Sequence, residues 1–245
     1  MKLSKMLIML TVAATTIGAG SLITHAATQP QPISNAEKAG EALLISNIMG
    51  RYSALVISNQ WLEIGNMFAL DDPEVHQNVP FAMSGPAVRS YFIKRAAEKL
   101  PDGVMHQHAF MSPIIEVAGD DQSAKGVWDS PGIDTASGNS MANWAWVRYA
   151  IDFKKINGEW KIWHMSVLPV WRAAYGESWS NMVTTDSHGK MTGGAGAAPT
   201  VAIPAAAPKA APGPAKWRYS GVGATPQLPA KLPVPYYTFD PKDAY

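Results

Sequence analysis

Between positions 143 and 171 apolar and polar residues alternate with a period of two on both sides of Asn157-Gly158. Runs rich in Trp, Tyr, Ile, Phe and Val flanking that dipeptide predict two long strands joined by a tight two-residue hairpin turn. With Ile156 opposite Glu159, Phe153 faces Ile162, Ile151 faces His164 and Tyr149 faces Ser166. One face then carries Tyr149, Ile151, Phe153, Ile162 and His164, mostly apolar with a few polar tips, as a pocket wall requires. The other carries Trp146, Arg148, Asp152, Lys154 and Trp163, a mixture that fits a partly exposed face or a subunit contact.

Upstream the period changes to helical. Ala42, Ile45, Ile48, Met49, Tyr52 and Leu55 predict a first helix over 37–58. Trp61, Leu62, Ile64, Met67 and Phe68 predict a second over 60–69, stopped at Asp71-Asp72-Pro73 because proline disfavours helical geometry in the residue before it. A short strand is expected within 74–79. A third helix is expected over 85–100, with Ser84 as N-cap and Pro86 in the first turn. Strand periodicity returns over 105–112, 114–118 and 123–130, with Pro113 marking a bend or bulge and 131–141 reading as loop. Helices first and an antiparallel sheet afterwards give an α+β chain with helices on one sheet face.

Composition changes the picture at the ends. The chain opens with Lys2 and Lys5 ahead of an apolar run, and small residues follow around Ala26, the order of a secretory signal cleaved near Ala26 or Ala27. The expected organisation is a signal peptide (1–26), a linker (27–36), a domain (37–182), a Gly/Ala/Pro-rich linker (183–215) and an aromatic, Pro-rich tail (216–245). The tail's Trp217, Tyr236, Tyr237, Phe239 and Tyr245 predict an extended segment docked on the domain or on a neighbouring subunit. A solvated tail is the alternative. An exported, periplasmic or secreted protein is expected, without a membrane anchor once the signal is removed. The chain has no cysteine, so such a protein relies on its core rather than on disulfides. A net charge of +1 argues against a nucleic-acid surface.

The words RYSALVISNQWLEIGNMFALDD, GPAVRSYF, IEVAGDDQSAKGVW and above all YAIDFKKINGEWKIWHMSVLPVW resemble the SnoaL-like branch of the nuclear transport factor 2-like superfamily over residues 37–179. The resemblance implies a cone-shaped barrel, helices packed on a strongly bent antiparallel sheet around a largely apolar pocket, assembled as a dimer or trimer. It also implies lyases, dehydratases or isomerases that use no cofactor, beside members that only bind or assemble. Gln107-His108 resembles the dipeptide of scytalone dehydratases whose histidine is a catalytic acid/base. Their second catalytic histidine falls at Ile151, which transfers no proton, and the region of the first helix does not supply the family's frequent aspartate, the word after Tyr52 ending in Asn59, so any chemistry here divides its labour differently.

Within that frame His108 is the first candidate for proton transfer, since an unperturbed imidazole titrates near working pH. A histidine merely hydrogen-bonded in the core is the equal alternative. His164 gains from its pocket-facing register. Tyr52 and Tyr149 can present phenols to a substrate oxygen, or serve simply as core aromatics. Asp129 can orient a histidine or act as base, although Pro131 beside it also fits a loop-edge carboxylate. His106 shares a strand face with His108, but no third ligand completes a metal set, and no metal or organic cofactor is expected. Trp61, Phe68, His106, Trp128 and Trp146 are the expected lining for a small aromatic ligand. The leading expectation is an acid–base lyase, dehydratase or isomerase acting on a small aromatic or polycyclic molecule, in its finest form a lignin-derived diaryl compound losing formaldehyde. A binding protein for an apolar small molecule and a structural oligomeric module are the alternatives.

Overall fold

A computed structural model describes residues 31–135, 142–176 and 230–245, with the backbone of two paired strands at Thr184–Thr185 and Met191–Thr192. The expected signal at 1–26, residues 27–30 of the first linker, the second linker (183–215) apart from those four strand residues, and residues 216–229 of the expected tail, Trp217 among them, lie outside the described residues.

Helix α1 spans Asn35–Ile57. The Ser34 hydroxyl accepts from the Glu37 amide and the Glu37 carboxylate accepts from the Ser34 amide, a reciprocal cap that satisfies two otherwise orphaned donors. Ile45, Met49 and Tyr52, spaced by four and three, form its buried line. Asn59, at φ 58°, turns the chain into α2 (Trp61–Asn66). Helix α3 spans Pro86–Ala97, and its N-cap is Gly85, not the expected Ser84. The cap conformation, φ 53° and ψ −132°, is one that glycine adopts far more readily than serine.

The strands are β1 (His76–Gln77), β2 (Met83–Ser84), β3 (Met105–His108), β4 (Met111–Val117), β5 (Ser123–Thr135), β6 (Ala142–Ile156) and β7 (Glu159–Ala174). Their order is β2-β1-β7-β6-β5-β3, with β4 also paired to β5. All pairs are antiparallel except β1–β7, which is parallel and makes the sheet mixed. The sheet curls strongly into a half-barrel with the helices packed on it, an α+β cone. The anticipated irregularity at Pro113 is present as a register shift between Met111 and Ile114, with Ser112 at φ 50°. Strand β5 runs on through Pro131, which had read as loop. The Pro131 carbonyl accepts from Ala109, so its missing N–H faces the gap where the chain passes from β3 to β4 and no ladder bond is lost.

The hairpin turn is as the alternation requires, with Asn157 at φ 52° and Gly158 at φ 80°. Ile156 pairs with Glu159 and Phe153 with Ile162. Beyond that point the expected register fails. Asp152 pairs with His164, leaving Trp163 as an extra residue on β7, and a second shift falls between Trp146 and Val147. Because side chains alternate with a period of two, one inserted residue exchanges the faces of everything after it. Ile151 therefore pairs with Met165 and Tyr149 with Val167, whereas His164 passes to the other face.

The inner face carries Trp128, Tyr149, Ile151, Phe153, Ile162 and Met165, all buried and packed in one cluster with Ile45, Met49 and Tyr52 of α1. Glu41 of α1 accepts from Trp160 Nε1 at 2.6 Å and from Lys155 Nζ at 3.0 Å, fixing the helix to the hairpin. Residues 231–245 lie against the domain as a closed loop rather than the expected extended run: Tyr245 Oη donates to the Lys231 carbonyl at 2.9 Å and a 3-10 turn spans Pro241–Asp243, while the amides of Gly119 and Asp120 donate to the carbonyls of Tyr236 and Tyr237, each at 2.9 Å.

Candidate functional site

Alternation along β3 decides where the histidines go. His108 pairs with Gly132 and His106 with Asp134, positions that continue the inner face of β5 through Ser130 and Trp128. The His108 ring lies flat over Gly132: a Cβ there would come within 2.3 Å of Cε1 and 2.4 Å of Nδ1. Fully buried Ser130 holds its hydroxyl 3.4 Å from His108 Nδ1, and the Ser53 hydroxyl on α1 donates to the His108 carbonyl at 2.5 Å. The helix thus holds the His108 main chain, and Ser130 and Gly132 bound one edge of its imidazole. Burial is the main cause holding its pKa below 6.5, with Asp134 opposing and His106 and Arg172 reinforcing. The ring is neutral at pH 7, able to accept a proton and return it. The pKa of His106 is lowered in the same way, and that residue is half-buried at the same end.

Next to His108 is an aromatic floor. Phe110 stands 4.6 Å from Tyr149, 5.9 Å from Tyr52 and 6.4 Å from Trp128, centroid to centroid, and the two tyrosine rings are 6.3 Å apart. Tyr52, Tyr149 and Trp128 are buried toward the centre of the cone, while His106, His108 and Phe110, toward its mouth, are half-buried. Tyr52 and Tyr149 are each 7% exposed, and burial raises both pKa values, so both stay protonated. Neither phenol is hydrogen-bonded to another described residue. Tyr149 pairs with Trp128, two residues from Ser130 on β5, which puts it about 7 Å along the strand from the His108 contact.

The other sequence candidates separate from this cluster. His164 is on the opposite face, its Nδ1 2.8 Å from Asp152 Oδ2, with Lys125 Nζ 2.9 Å from Asp152 Oδ1. The β-bulge at Trp163 is the physical reason, and it corrects the pocket-facing register expected for His164. Asp129 also faces outward, paired with Arg148 at 2.7 Å, and is not placed to orient His108. Trp146 lies on that outer face as well, 6.3 Å from Trp171. Trp61 sits on α2, with Arg95 5.0 Å over its ring and its indole N–H donated to Asn59, while Phe68 is sealed in the core 4.9 Å from Phe92. Of the expected lining only Trp128 and His106 share the inner face with His108.

Four members of the site had not been singled out: Ser53, Phe110, Ser130 and Gly132. Gly132 carried a readable signal, since a glycine within a strand often marks a close approach by another group. The loop assignment beyond Pro131 obscured it.

A family model described as a SnoaL-like domain matches residues 41–166, slightly more than half of the chain. A search of curated proteins finds no match. Among solved structures the chain is similar to a candidate scytalone dehydratase from Novosphingobium aromaticivorans, at 15% identity over 57% of this chain and 91% of that one, with a TM-score of 0.47. It is also similar to a hexachlorocyclohexane dehydrochlorinase from Novosphingobium barchaimii, at 9% identity over 59% and 97% of the two chains, with a TM-score of 0.48. A third similar structure is Aln2 from a Streptomyces species, at 13% identity over 52% and 89%, with a TM-score of 0.41.

Proposed function

The chain belongs to the SnoaL-like family, and from that premise we propose that it is a lyase, dehydratase or isomerase acting by general acid–base chemistry on a small aromatic molecule at the mouth of the cone, with His108 moving the proton. The observation that carries this reading is the His108 imidazole, neutral, pressed on Gly132 and fixed at one edge by Ser130, beside an aromatic floor with two phenol donors. Pre-positioned donors aimed at developing negative charge in a dry site are a large source of rate enhancement.

In an elimination, His108 takes the proton, the freed electron pair forms a carbon–carbon double bond, and the oxygen leaving the adjacent carbon collects the proton from His108 and departs as water. The phenols of Tyr52 and Tyr149 donate hydrogen bonds to that oxygen. A flat substrate ring stacks against Phe110 in an offset or edge-on geometry. In the finest form of the proposal the substrate is a lignin-derived diaryl diol. His108 then takes the terminal hydroxyl proton, the adjoining carbon–carbon bond breaks to release formaldehyde, and the benzylic hydroxyl leaves as water while the double bond forms between the aryl-bearing carbons. The opening Lys2-to-Ala26 segment supports export, which suits such a substrate.

The test is turnover of a panel of diaryl diols and hydroxylated aromatics by the wild type and by His108→Gln, read by product mass and released formaldehyde. The proposal expects a product whose formation falls at least a hundredfold in the variant. A ligand that binds but leaves with its mass unchanged across the panel would assign the chain to binding instead.

A further inference from the structure

On the face opposite His108 lies a cluster that the acid–base reading does not use. Asp152, fully buried, accepts from Lys125 Nζ at 2.9 Å, lies 2.8 Å from His164 Nδ1, and accepts from the main-chain N–H of Tyr245 at 2.9 Å. Lys125 Nζ also donates to the carbonyl of Asp243 at 2.6 Å. The His76 ring stacks on His164 at 4.2 Å, and its Nε2 is 3.1 Å from the Tyr245 main-chain oxygen. Phe239 packs 4.9 Å from Trp163, and Lys125 Nζ stands 4.7 Å and 4.9 Å from the ring centroids of Phe239 and Tyr245.

We propose that this outer face is a peptide-binding site and that residues 231–245 are its tethered ligand. Phe239 packs against the core cluster through Trp163, and the remaining contacts have the form of peptide recognition. The segment's carbonyls at Tyr236 and Tyr237 take the amides of Gly119 and Asp120, its Tyr245 amide meets a buried carboxylate, and its rings lie over a cation and an indole. The receiving groups all belong to the sheet or its turns, and the family match ends at residue 166. Asp152 keeps Lys125 and His164 as partners when the segment leaves, so the receiving charges stay paired and the site is pre-formed. The segment curls around a groove of about 670 Å³ lined by its own residues and, from the domain, by Lys125. Gly119 sets the shape: a Cβ there would fall 2.6 Å from the Tyr237 ring. The ligand class is a short peptide with aromatic residues at two positions six apart, Phe239 and Tyr245, a tight turn between them at Pro241–Asp243, and a main-chain N–H offered at the second.

The experiment uses the full chain with a protease recognition sequence inserted between Ala205 and Ala206. After cutting, the proposal expects the 206–245 fragment to co-elute with the folded domain and to be displaced by excess synthetic peptide 230–245. It further expects labelled peptide carrying Phe239→Ala to bind at least tenfold more weakly, a change that cannot unfold the domain. Asp152→Asn in the domain should weaken binding similarly. A fragment that elutes apart from a domain with unchanged near-ultraviolet circular dichroism would overturn the proposal. So would loss of that signal on cutting, since the segment would then be part of the core, and so would equal binding by the Phe239→Ala peptide.

Discussion

Replacing Gly132 with alanine tests the seat of the His108 ring directly. The added Cβ would lie 2.3 Å from His108 Cε1 and 2.8 Å from Nε2, against an ordinary contact of about 3.5 Å, so the ring must retreat by about 1.2 Å. The neighbouring backbone belongs to β5, hydrogen-bonded to β6 and β3, and yields less easily than a half-exposed side chain. His108 therefore swings toward the mouth and leaves the Ser130 hydroxyl. Overpacking of this kind costs about 1–3 kcal/mol, and the open side of the ring places the cost near the lower end. For a chain of this size about 1 kcal/mol lowers the Tm by about 2–4 °C, a fold-preserving change. A displacement of about 1 Å of a proton-transferring group reduces turnover by about a hundredfold. The assay is kcat and Tm for wild type, Gly132→Ala, His108→Gln and the double variant. If glycine acts through His108, the alanine costs almost nothing in activity once His108 is gone. Full activity in Gly132→Ala, or an equal further loss in the double variant, would refute the reasoning.

Tyr149→Phe removes a phenol that is bonded to no other described residue, so stability should change by less than about 1 kcal/mol while kcat falls by about a hundredfold, read by thermal melts and steady-state kinetics. Lowered pKa values at His106 and His108 mean that the unfolded chain binds more protons than the folded one from pH 6.5 downward to the folded values. Their contribution is thus fully present above 6.5 and is lost as pH falls through that window, and the slope of stability against pH should flatten in His108→Gln urea titrations. Glu41→Gln weakens the charge-assisted anchor between α1 and the hairpin, held by Lys155 and Trp160, and should cost about 1–2 kcal/mol in denaturant melts. Secreted material made with its own amino terminus should begin near residue 27 by intact mass.

The hairpin was legible because its turn and its alternation agree: Asn157-Gly158 supplies two positive φ values, and the period of two holds from Glu159 to Ile162 and from Phe153 to Ile156. What sequence did not disclose was the bulge at Trp163. A bulge costs one residue of register and leaves no mark in a run where every side chain is large, so His164 exchanged faces. The same run hides the second shift, at Trp146/Val147. His108 was legible because β3 is short and regular, with His106 and His108 on one face. Its partners were not, because Ser130 and Gly132 follow a strand that continues through proline, and Ser53 reaches His108 from 55 residues away. The parallel pairing of His76–Gln77 with β7 is likewise a tertiary event, in which two residues alone carry no periodicity. The docked segment was foreseeable from its aromatic density, but its receiving cluster was not, since Lys125, Asp152 and His76 come from three separate strands.

Proton transfer to a neutral His108 imidazole is the step on which the proposed function rests. Its most direct test is the pH profile of kcat/KM on an accepted substrate. The account predicts an acid limb with an apparent pKa below 6.5 that disappears, together with most of the activity, in His108→Gln; a limb that survives unchanged in that variant would contradict it.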